Sequence, residues 1–90
     1  MDHKTFWQIN KGDPMVGELM KTARQLQIAQ AKWVQQALDE GDVSEQNSSV
    51  EHAREEFEKV AKATRESFEK RGVSVPKFDP HELARVGEHF

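Results

Sequence analysis

The side chains able to carry chemistry are four histidines, His3, His52, His81 and His89, sixteen carboxylates and a scatter of serines and threonines; there is no cysteine. A metal site needs ligands that converge, and a helix offers that through spacings such as His-x-x-x-His or Glu-x-x-His. Neither spacing occurs. His81, Glu82, Glu88 and His89 are close in sequence, but they do not share one helical face, and helix ends in solvent account for them. Nucleophilic catalysis needs an activated side chain with a base in reach, as at a Gly-x-Ser-x-Gly elbow. No such motif is present, and the serines fall in turns, caps or charged helix. Gly12-Asp13-Pro14-Met15-Val16-Gly17 has glycines before a helix, yet it lacks the Lys-Ser/Thr of a phosphate loop, and Asp13 would repel phosphate. The many acids of the second half each have a basic neighbour one turn away, as in Glu55 with Lys59, Glu58 with Lys62 and Glu66 with Lys70. A solvated face results. The expectation is a non-enzymatic protein with no metal and no cofactor.

The elements that carry these residues are legible. Asp13-Pro14 joins a capping side chain to a residue whose fixed φ suits the first helical position. No further proline occurs up to residue 40, and Gly41 can take the left-handed stop conformation, so a helix is predicted over 14–40. Val16, Leu19, Ala23, Leu26, Gln30, Trp33 and Ala37 recur every three or four residues along it. Gln30 is the polar member of that stripe, placed to set register between chains or to sit at a half-exposed edge. Residues 41–48 are polar and read as a turn. Ser48 with Glu51 makes a capping box, which predicts a second helix over 49–71 that stops at Gly72. Val50, Ala53, Phe57, Val60, Ala61, Thr64 and Phe68 lie along one side of it, and Arg54–Lys59 recurs as Arg65–Lys70, placing Phe57 and Phe68 on one face. Val73 to Phe78 reads as extended, and Asp79-Pro80 starts a short terminal helix with Leu83, Val86 and Phe90 inward. Asp2 is placed to cap a weaker turn through Phe6, Trp7 and Ile9.

The fold class predicted is all-α: an antiparallel helical hairpin plus a short C-terminal helix, completed as a dimeric helical bundle. Residues 1–12 form an arm or short helix, and 13–90 a single helical domain. Folding the hairpin about the predicted turn sets Trp33 beside Phe57, Leu26 beside Thr64, and Leu19 or Met20 near Phe68. Leu19, Leu26, Trp33, Phe57, Val60 and Phe68 are the predicted core. Apolar mass is then uneven, with Phe6, Trp7, Ile9, Met15, Val16, Met20 and Phe78 crowding the open end, away from the turn. A two-helix hairpin has one contact line and cannot cover both apolar sides, so these seven are expected at a homodimer or partner interface.

Length and charge narrow the class further. Leu, Ile, Val and Phe make up 19 of the 90 residues, just over the fraction below which chains stay disordered, and the net charge is only −3. No apolar run is long enough for a secretory segment or a bilayer crossing, so a cytoplasmic protein without a membrane is expected. The acidic balance weighs against nucleic acid as a partner. The function expected is therefore a regulator that binds another protein, as adaptor, chaperone or inhibitor. The alternative is a nucleic-acid-associated regulator using Lys21, Arg24 and Lys32, which have little acidic company on the first helix.

Overall fold

The computed structural model describes residues 3–39, 41–42 and 44–87. It is all-helical among those residues, with α1 at His3–Ile9, α2 at Pro14–Asp39, α3 at Ser44–Lys70 and α4 at Pro80–Gly87. The predictions for Asp2, Val43, Glu88, His89 and Phe90 lie outside the described residues.

The helix boundaries follow from local chemistry. One carboxylate oxygen of Asp13 accepts from the Met15 amide at 2.9 Å, capping α2, while the other accepts from the Arg71 guanidinium at 3.0 Å. The start of α2 is thereby tied to the end of α3. Gly72, at φ +76°, closes α3: its amide donates to the Glu69 carbonyl, and the Val73 amide reaches back to Phe68. This pair of bonds is a Schellman stop, which needs a left-handed residue at Gly72. Asp79 Oδ1 accepts from the amides of His81 and Glu82 and starts α4. Gly41, at φ +77°, closes α2 in the same left-handed conformation.

The start of α3 differs from expectation. The helix begins at Ser44, four residues before the predicted capping box, because Asp42 Oδ1 accepts from both the amide and the hydroxyl of Ser44. Ser48 and Glu51 are interior residues of α3. The connection shrinks, and the register between the long helices moves with it. Leu26 lies with Phe57, while Trp33 lies with Val50 and donates its indole N–H to Asn47. The pairing of Trp33 with Phe57 is therefore corrected by seven residues, two turns of helix.

The core gathers where the chain ends meet the hairpin's open end. Val16, Leu19, Met20, Ala23 and Leu26 of α2 pack with Phe57, Ala61 and Phe68 of α3, with Phe6 and Trp7 of α1, and with Leu83, Ala84 and Val86 of α4. Val50, Ala53, Val60, Val75 and Phe78 pack against this cluster while partly exposed. Five rings run through it in sequence. Phe68 meets Phe6 at 5.3 Å, Phe6 meets Trp7 edge-on at 4.8 Å, Trp7 meets Phe78 at 5.5 Å and Phe78 meets Phe57 at 6.2 Å. Such edge-on pairs set the positive rim of one ring against the negative face of the next. α4 packs on α2, where a Cβ added at Gly87 would stand 3.3 Å from the Met20 Cβ. The molecule is elongated, 48 × 23 × 19 Å, because the hairpin tip projects beyond this body.

Candidate functional site

The seven predicted interface residues do not form one surface. Phe6, Trp7, Val16 and Met20 are buried in the chain's own core. Phe78 is half-buried between Trp7 and Phe57, with the Arg65 guanidinium 4.6 Å above its ring, and Met15 is also half-buried. Ile9 alone of the seven stands well exposed, at 64%. Phe6 and Trp7 are adjacent in sequence, and both are buried. α1 is wedged between the end of α3 and the extended segment 73–79, so side chains about 100° apart on it meet different walls of the same cluster.

Of the predicted core, Leu19, Leu26, Phe57 and Phe68 are buried and Val60 is half-buried. Trp33 is not in the core: it is 37% exposed, because the corrected register sets it opposite Val50 and Asn47 near the turn. Besides Ile9 and Val73, the exposed large apolar side chains are on the half of α2 nearer the tip. Ile28, Val34 and Leu38 are exposed there with Trp33, and Leu38 is the most exposed large hydrophobic side chain described, at 79%.

This surface continues the face that α4 covers lower down. At about 3.6 residues per turn, Val34 and Leu38 lie five turns beyond Val16 and Met20, on the same side of α2. Val50 stands in the same relation to Phe68 on α3. Val16 and Met20 are buried, and Val34 and Leu38 are open, because α4 begins at Pro80 beside Leu26 and runs away from the tip towards Met20. Beyond α4 the groove between α2 and α3 stays open, lined by Gln30, Trp33, Val34, Val50 and Arg54. The Oε1 of Gln30 is buried in this wall without a hydrogen-bond donor. These tip residues were missed in the sequence because Val34 and Leu38 fall beside the three-four stripe of α2. The signal that finds them is the second stripe, Gln27, Ala31, Val34 and Leu38.

Beside α4 a cavity is lined by Arg54, Glu58, Arg65, His81, Glu82 and Arg85 among others. No three potential metal ligands cluster among the described residues. The helical hydroxyls bond to backbone carbonyls one turn back, Thr22 to Glu18 and Leu19, Ser49 to Glu45, and Thr64 to Val60. The Asp42 carboxylate is held below its ordinary pKa by the Ser44 amide and then by the Ser44 hydroxyl, a capping role. Lys21, Arg24 and Lys32 are exposed on α2, and no helix among the described residues is long and apolar enough to cross a membrane. Comparison of the chain with known protein families, with curated proteins and with solved structures finds no match.

Proposed function

We propose that this chain is a cytoplasmic, non-enzymatic protein-binding regulator whose docking surface is the open tip of the helical hairpin. The observation that carries the reading is the change along one face of α2. Val16 and Met20 are buried, whereas Val34 and Leu38, on the same face five turns on, meet solvent. Aliphatic side chains set in a groove between two helices are the receptor for an amphipathic helix, which would lie in the track α4 occupies lower down. Isolated exposed apolar residues are common on soluble proteins, but a row beside a groove marks an interaction surface.

A photo-crosslinking side chain placed singly at Val34, at Leu38 and, as an outward-facing control, at Gln25 tests this in cells that express the protein. Adducts specific to Val34 and Leu38 support the reading; none, or the same adducts from Gln25, overturns it.

A second reading has its own observation. Lys21, Arg24 and Lys32 lie close to one outward line of α2. Binding of nucleic acid by that face would weaken steeply with added salt, since each phosphate contact releases counterions.

A further inference from the structure

The tip's composition goes further than the presence of a docking face. Between Gln25 and Leu38 the helix carries one charged residue, Lys32, in a chain that is 32% charged overall. A second stripe on that segment is the half-buried Gln27 with the exposed Ala31, Val34 and Leu38, spaced four, three and four residues apart as in a two-helix seam. Its order is self-complementary. Turned end for end about a point between Lys32 and Trp33, the stripe sets Leu38 opposite Gln27 and Val34 opposite Ala31. Val34 then faces the smaller Ala31, which lets two such helices approach closely at the centre of the seam.

We infer that the occupant of the tip is a second copy of this chain, its α2 lying antiparallel on the first through Gln27, Ala31, Val34 and Leu38. This rests on the docking reading above and names the partner. Continuity with an interface the fold already uses supports it, because the second α2 would follow the track of α4 and end where α4 begins. Both run antiparallel to the first α2. Side-by-side pairing of whole chains is blocked, since α4 covers the lower half of the same face.

A seam of twelve residues is about 18 Å long. So short a contact falls at the small end of protein interfaces, and the association is expected in the micromolar range. Overlapping only the tips would give a particle roughly 75 Å long, from the overlap at about 1.5 Å per residue, against 48 Å for one chain.

The test uses the full chain in sedimentation velocity from about 1 to 200 μM, a range that brackets micromolar affinity. Small-angle scattering at the top concentration reads the longest dimension. A concentration-dependent dimer near the longer dimension is expected. Leu38→Glu and Ala31→Glu are expected to return it to monomer with an unchanged helical signal, since both residues are exposed. The absence of cysteine gives an independent geometric readout. Ala31→Cys chains mixed with Val34→Cys chains are expected to form mixed disulfides much faster than Gln25→Cys chains form their own. A monomer at every concentration overturns the inference, as does a compact dimer indifferent to Leu38→Glu or a dimer without the 31-to-34 preference. If the photo-crosslinks of the previous section then still form with another protein, the docking surface stands and only its assigned occupant falls.

Discussion

Trp7 and Trp33 show how much a residue's surroundings outweigh its type. Trp7 is fully buried and touches Phe6 and Phe78, so Trp7→Ala leaves a cavity the short α1 cannot close. The expected loss is about 3–5 kcal/mol, measured by denaturant unfolding. Trp7→Phe is expected to cost less, because it keeps most of the ring and removes an indole N–H that has no acceptor in the core. Trp33→Ala, at the half-open tip, is expected to cost about 1 kcal/mol or less, as exposed substitutions do. Equal losses at the two tryptophans would contradict the register. In the sequence, Leu26, Phe57 and Phe68 were legible as core because each sits on a helical stripe. The burial of Phe6 and Trp7 was not legible, since it depends on α1 finding a slot between α3 and an extended segment, a long-range arrangement that no local periodicity encodes.

Helix boundaries set the register, and one carboxylate decides the boundary that matters most. Asp13, Gly72 and Asp79 act as their types predict, because caps are local interactions among neighbours in sequence. The start of α3 lies at Ser44 and not after Ser48 because Asp42, inside the segment that reads as a turn, supplies the acceptor. The structure uses Asp42, so Ser48→Ala in the interior of α3 is expected to leave the melting temperature unchanged or slightly raised, alanine being the better helix former. Asp42→Ala is expected to lower it. The pH dependence has a definite sign. The Asp42 carboxyl is held below 3.8, so its stabilising contribution is present above that value and fades as acid protonates the folded form. Asp42→Asn keeps a capping oxygen but cannot titrate. It is expected to remove that component from the acid-unfolding curve, and an unaltered curve would show that Asp42 is not the group responsible.

At the scale of the molecule, the uneven apolar distribution is legible in the sequence. The open end has the greater apolar mass, and α1, the extended segment and α4 use that mass to build the core. The poorer end cannot recruit a third layer and stays as a bare hairpin. Stability should therefore vary along the long helices. The halves of α2 and α3 nearest the chain ends are buried on several sides, whereas 27–39 and 44–56 are held mainly by their mutual seam and a few hydrogen bonds such as Trp33 to Asn47. Opening the tip exposes little apolar area, so its amides are expected to exchange through local fraying, while those of 16–26 and 57–68 require opening of the core. Hydrogen exchange followed by mass spectrometry on peptides from the four half-helices reads this gradient directly. Uniform protection along α2 at low micromolar concentration would mean that the tip is held by contacts this fold does not contain. Repeating the exchange at high concentration adds a second comparison: if a second copy covers the tip, protection rises in 27–39 and stays the same in 57–68, because binding stabilises the elements it touches.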